Sequence, residues 1–213
     1  MRLILISPPQ TIHQETHWVN QLFESGLDCF HLRKPESNRS KVETFLHEIN
    51  PMYHQMIVLH NHHELAEKYS LKGIHLREPD RKTFLAKSIA QRQDQIFYLE
   101  KQKVRILSTS IHTISDLKQE SSYFEYVFVS PVFESISKEG YKPQHEWDVR
   151  KIKTQIKPQL IALGGVGVDK ISRAKSLGFD GVAVLGAVWQ NEHKVLENFK
   201  IIRDKCQDLE QAY

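Results

Sequence analysis

Residues 160–188 run LIALGGVGVDKISRAKSLGFDGVAVLGAV. The stretch opens on an apolar run, Leu160 to Leu163, that stops at Gly164-Gly165. Helical spacing follows from Asp169 to Leu177, with Gly178 placed as a C-cap, and a second apolar run covers Gly181 to Leu185. Neither run alternates polar with apolar residues. Both faces are therefore expected to be buried, as in parallel strands covered by helices. The unit reads strand, helix, strand, and it sets the pattern for the rest of the chain.

Upstream, short β-rich runs occur at Leu3 to Ser7, Cys29 to Arg33, Met56 to His60, Gly73 to Leu76, Val104 to Ser108 and Tyr126 to Val129. Helical spacing fills the gaps, at His17 to Ser25, Ser40 to Ile49, His62 to Tyr69, from Asp80 onward, Thr113 to Gln119, Trp147 to Ile156 and Lys194 to Asp208. Within Gln91 to Lys103, the run Ile96 to Leu99 fits strand or helix equally. Strands alternating with helices in eight matched units specify an α/β fold, a (βα)8 TIM barrel, as a single domain over residues 1–213. An open doubly wound sheet needs fewer strands and one switch point.

Bulk properties narrow the function classes. The 213 residues are 40% hydrophobic and 26% charged, with a net charge of +3. That charge, with no basic run interleaved with aromatics, argues against nucleic acid as a partner. No apolar stretch reaches membrane-spanning length, so no membrane is expected and the compartment is read as cytosolic. Cys29 and Cys206 make neither a disulfide framework nor a zinc knuckle.

Gly164-Gly165 ends one strand and Leu185-Gly186 ends the next. Glycines at such positions let main-chain N–H groups approach an anion closely, and barrels commonly build a phosphate cup after strands seven and eight. A pair of tight turns would explain one loop; two in consecutive units point to a small phosphorylated substrate. Among the twelve histidines, His60, His62 and His63 look like metal ligands on paper. Helix onset at His62 breaks their geometry, however, and no fourth ligand has zinc-site spacing. Strand alternation turns Arg33 inward and Lys34 outward, and makes His75 a hydrogen-bonded core residue.

Read in barrel order, further segments end the strands: Phe30-His31-Leu32-Arg33-Lys34, His60-Asn61-His62-His63-Glu64, Gly73-Ile74-His75-Leu76-Arg77-Glu78-Pro79-Asp80, Ser108-Thr109-Ser110-Ile111-His112 and Ser130-Pro131-Val132-Phe133-Glu134-Ser135-Ile136-Ser137-Lys138. This ordered set resembles the thiamine phosphate synthase/TenI superfamily from strand one to strand eight. The synthases end strand two with Gln-Leu-Arg-x-Lys, around the diphosphate of an activated pyrimidine. Here His31 stands at the Gln, Arg33 at the Arg and Pro35 at the Lys. They carry Asn-Asp after strand three, the Asp binding magnesium, where this chain has His60-Asn61. The resemblance implies Mg2+ at a site that keeps Asp80 alone of the two carboxylates. It also places Ser110 on the pyrimidine side and makes Ser135, Ser137 and Lys138 conservative matches to a Thr-x-Thr-Lys anion motif.

The TenI branch shares the histidine of strand two and the missing aspartate. There a histidine after strand five, here His112, moves a proton to aromatise a carboxylated thiazole phosphate. The reading that follows is a thiamine-biosynthesis enzyme of the thiazole tautomerase type. Gly164, Gly165, Leu185 and Gly186 hold the phosphate, His112 transfers the proton, and Arg33 and His31 orient the carboxylate, with His60 and Asn61 alongside. Two alternatives stay open. One is a thiamine phosphate synthase releasing diphosphate, with Asp80 and Glu78 on magnesium and Lys34 replacing the missing lysine. The other is a non-catalytic thiazole-phosphate binder. The resemblance also allows a homodimer, and Gly140 in the loop from Glu134 to Pro143 is a candidate lid hinge.

Overall fold

The computed structural model describes residues 1–101, 104–120, 123–134 and 147–211. Eight parallel strands follow one another in chain order and close on themselves. They are β1 (Arg2–Ile6), β2 (Phe30–Leu32), β3 (Ile57–Leu59), β4 (Gly73–Leu76), β5 (Ile106–Ile111), β6 (Tyr126–Val129), β7 (Gln159–Leu163) and β8 (Gly181–Val184). The ring is shut by β1 pairing with β8 through Leu3↔Val182 and Leu5↔Val184. Helices cover the outside: α1 (Glu15–Glu24), α2 (Arg39–Glu48), α3 (Glu64–Lys68), α4 (Glu78–Ala86), α5 (Ile89–Lys101), α6 (Ile114–Glu120), α7 (Arg150–Lys153), α8 (Ile171–Ser176), α9 (Gly186–Trp189) and α10 (Val195–Gln211).

Strand alternation divides the core in two. Leu3 and Leu5 face out and join the large cluster under the helices, while Ile4 and Ile6 face in with Val58, Ile161 and Ala183. Both faces exclude water, which is why the strands read as unbroken apolar runs. The departures from that pattern are informative. β5 continues through Ser108 and Ser110 to Ile111, beyond the apolar run, because its inward positions are polar and meet His75.

The ambiguous run Ile96 to Leu99 is helical, within α5. Its start is set by Ser88 and Gln91: the Gln91 N–H donates to Ser88 Oγ at 3.3 Å and the Ser88 N–H to Gln91 Oε1 at 3.0 Å. This reciprocal capping box separates α4 from α5 and was present in the sequence as Ser-x-x-Gln.

The amino-terminal end of the barrel is plugged. Arg2 Nη1 donates to Gln159 Oε1 at 2.6 Å and to Glu125 Oε1 at 3.1 Å, and the guanidinium carbon lies 4.5 Å from the Tyr126 ring centroid. A cavity of about 350 Å³ lies at this same end, between α5 and the starts of β5 and β6. It is separated by the length of the barrel from the strand carboxyl ends, where barrel enzymes place their chemistry.

Candidate active site

The register Leu163↔Ala183 brings the loops after β7 and β8 side by side. Gly164 and Gly165 have φ of +92° and +64°, and a Cβ on Gly165 would lie 2.3 Å from the Glu134 carbonyl oxygen. Only glycine fits both the left-handed backbone and that approach. The loop is held there by Val132 N–H donating to Leu163 O at 2.9 Å and Phe133 N–H to Gly164 O at 3.1 Å. The opposite loop turns straight into α9, which Trp189 anchors by donating Nε1–H to Ile6 O at 2.9 Å. The main-chain hydrogen bonds of the described residues leave the N–H groups of Gly164, Gly165 and Gly186 unspent. These glycines and Leu185 are half-buried at the rim. Fixed loops with unspent donors form a cradle for an oxyanion. The tight turn is what these φ values and close approaches require.

His112 follows β5 directly and its ring is exposed at the rim. Its Nδ1 lies 2.7 Å from Ser130 O. A carbonyl oxygen only accepts, so Nδ1 carries the proton, and in the neutral ring the lone pair sits on Nε2. The backbone thus fixes the tautomer of a base that opens onto the mouth.

Inside the mouth, β2, β3 and β4 each turn a histidine into the bore. His31, His60 and His75 are 0%, 5% and 1% exposed. His31 Nδ1 is 2.9 Å from His60 Nε2, and His31 Nε2 is 2.5 Å from the Tyr126 hydroxyl. The His60 and His75 rings stack at 4.1 Å, and His75 Nδ1 and Nε2 reach Ser108 Oγ and Ser110 Oγ, both at 3.0 Å. Burial drives all three proton affinities down, His31 and His60 well below 6.5 and His75 to about 3. The charge on Arg33 lowers His60 and His75 further. The rings are neutral at pH 7. His31 was expected against substrate; instead both its ring nitrogens are committed to protein partners one layer down. His75 is the hydrogen-bonded core residue that alternation predicts.

Arg33 is half-buried, its backbone pinned by Ser7 through Arg33 N–H to Oγ at 2.8 Å. Among the described residues its guanidinium has no carboxylate partner: Asp80 is paired with Arg77 at 2.8 Å and Glu78 with Lys82 at 2.6 Å. A half-buried cation so placed is open to an anionic ligand. Lys34 points the other way, as alternation requires. It is 2% exposed and donates to Glu15 Oε2 at 2.6 Å, Pro8 O at 2.8 Å and Gln10 O at 3.1 Å. Burial lowers its proton affinity and raises that of Glu15. Lys34 therefore ties down the loop after β1 and does not replace the lysine lost at Pro35.

Magnesium fits this rim poorly. It binds through carboxylates and phosphate oxygens, yet among the described residues Asp80 is ion-paired with Arg77, and Asn61, whose Nδ2–H donates to Lys34 O at 3.1 Å, offers only a neutral amide oxygen. Asn61 is half-buried at the rim, and His60 lies buried beneath it. Ser110, half-buried, is bonded to His75. Ser135, Ser137, Lys138 and the lid segment through Pro143 lie outside the described residues. Tyr126 and Ser108 escaped the sequence reading, and their only signal was inward parity on strands flanking the histidines.

A closed ring of eight parallel strands in chain order, covered by helices, defines a (βα)8 barrel protein. The family model for thiamine monophosphate synthase matches residues 3–188, and the chain belongs to that family. It is similar to the thiamine-phosphate synthase of Staphylococcus saprophyticus, 22% identical over 205 residues and 91% of each chain. That of Actinobacillus pleuropneumoniae is 23% identical over 182 residues, 80% of this chain and 78% of its own. Among solved structures, thiamine phosphate pyrophosphorylase from Bacteroides thetaiotaomicron superposes with a TM-score of 0.75 at 29% identity, over 97% of this chain and 98% of that one. Among the described residues no helix is long and apolar enough to cross a membrane.

Proposed function

We propose that the protein is a thiazole tautomerase, aromatising a carboxylated thiazole phosphate by moving one proton between carbons. The observation that carries this reading is the bond from His112 Nδ1 to Ser130 O, 2.7 Å long, which leaves Nε2 as the base. His112 Nε2 takes a proton from one carbon of the substrate and, now an imidazolium, returns it to another carbon of the same conjugated system. Protons balance within the cycle, and an imidazole suits both halves near neutral pH. Gly164, Gly165, Leu185 and Gly186 hold the phosphate. Arg33 pairs with the carboxylate above the floor made by His60 and Ser110, with Asn61 beside it and His31 beneath. Ser135, Ser137 and Lys138 supply further donors. No step needs the magnesium that the rim is badly built to hold.

A second reading, thiamine phosphate synthase, is favoured by the names of relatives aligned over nine-tenths of both chains. Purified protein given each substrate set separates the two. Metal-independent appearance of the aromatic thiazole supports the tautomerase. Magnesium-dependent release of diphosphate overturns it in favour of the synthase, and tight thiazole-phosphate binding without turnover in favour of a binder.

A further inference from the structure

The three histidines in the bore have a composition that the proton-transfer chemistry does not use. They come from successive strands. Register carries the pairing Val58↔Gly73 and Leu59↔Ile74 on to His60 beside His75, and His31 faces the same bore from β2. One nitrogen from each ring can be chosen so that all three lie within 4.8 Å of one another. The set contains no carboxylate, so it is the wrong chemistry for a hard cation and the right one for zinc, cobalt, nickel or copper.

We infer that the bore is a binding site for one borderline divalent cation of the zinc class, held by His31 Nδ1, His60 Nε2 and His75 Nε2. The atoms behind the rings support these assignments. Metal-bound histidines hold their second nitrogen with an outer partner that fixes the tautomer. Tyr126 OH stands 2.5 Å from His31 Nε2, and Ser108 Oγ stands 3.0 Å from His75 Nδ1. The Ser108 hydroxyl itself donates to Ile74 O at 3.4 Å, which fixes it on the wall of the barrel. With these partners behind the rings, the second nitrogens are His31 Nδ1, which faces His60, and His75 Nε2, which Ser110 now holds.

The fit demands modest movement. Ligands of a tetrahedral zinc ion lie about 3.3 Å apart, given zinc–nitrogen bonds of about 2.0–2.1 Å. The His31–His60 separation of 2.9 Å opens slightly, the proton between them passing to the outer nitrogen of its own ring, and the stacked His60 and His75 rings tilt to converge. Ser110 Oγ, now 3.0 Å from His75 Nε2, rotates away or becomes the fourth ligand from the half-buried rim. Neutral imidazoles need shed no proton to the solvent first, so binding persists at pH 7. The site stands independently of the tautomerase reading.

Cobalt titration of chelator-treated full-length protein tests it, followed by visible ligand-field absorption and calorimetry. The expected result is one equivalent bound, with the intense bands of a low-coordinate nitrogen site. Zinc should displace it and millimolar magnesium should not. Tyr126→Phe removes only an outer hydroxyl and should weaken binding about 10–100-fold, with an unchanged circular dichroism spectrum. His60→Asn and His75→Asn should each abolish the bands. His62→Asn should keep them, because His62 Nε2 is bonded to Ser37 O at 3.0 Å in the rim loop. Absence of stoichiometric binding overturns the inference. So does binding that survives His60→Asn and Tyr126→Phe unchanged, since the ion then sits on other histidines.

Discussion

The β7–β8 side of the mouth presents backbone, and the β2–β4 side presents side chains. The Gly164-Gly165 and Gly186 loops offer N–H groups whose positions are set by neighbouring carbonyls and by a buried Trp189. Across the bore lie the Arg33 guanidinium and three imidazoles, His31 bonded to His60 and Tyr126, and His75 to Ser108 and Ser110. The difference is in how each side tolerates change. A backbone cradle is indifferent to most substitutions except those that fill its glycines. A side-chain site is re-purposed by exchanging residues on a fixed scaffold: here the two amide positions of the synthase motif carry His31 and His60, while its carboxylate and lysine positions carry Asn61 and Pro35. His112 sits between the two sides, directly after β5.

If proton transfer belongs to β5, His112→Gln should lower kcat about 10²–10⁴-fold with KM little changed, measured by the absorbance of the aromatic product. A collapse in KM alone would move the chemistry to the histidine side. Lys34→Met strands Glu15 in a buried position, and should cost about 3–5 kcal/mol in denaturant unfolding. Its kcat, below the melting range, should stay within about twofold of wild type. Lost turnover with intact stability would put Lys34 back in the site.

Gly165→Ala tests the backbone side, because its Cβ would sit 2.3 Å from Glu134 O at a φ of +64°. Losing one charge-assisted bond to phosphate, about 1.5–3 kcal/mol, should raise KM for the phosphorylated thiazole about 10–100-fold, and an equal change for the dephosphorylated analogue would refute a phosphate role. The histidine side should show acid sensitivity in chelator-treated protein. His31, His60 and His75 have depressed native affinities, so the unfolded chain binds the extra protons as pH falls below 6.5. Stability is then complete above that value and declines beneath it, by about 1.4 kcal/mol per pH unit for each histidine. Arg2 and Tyr126, whose proton affinities are raised, stay protonated across this range, and His63, whose affinity burial lowers, adds to the same slope, so His75→Asn should flatten but not remove the slope seen by denaturant titration from pH 7 to 5. The smallest effect is expected at Asp80→Asn, with turnover within about twofold of wild type; severe loss would restore magnesium and the synthase.

What the sequence determined was the barrel and the place of the glycine turns that end β7 and β8. Unbroken apolar runs such as Leu160 to Leu163, punctuated by glycine, depend on local burial and turn chemistry, which a linear chain carries in full. The inward turn of Arg33 and the outward turn of Lys34 followed from parity along one strand. The partners of those residues did not, because Glu15 lies on a helix and Asp80 had a nearer cation in Arg77. Tertiary structure alone decided that His31, His60 and His75 converge while His62 and His63 do not join them. Strand register and barrel closure create that meeting, and neither leaves a trace in the spacing of histidines along the chain.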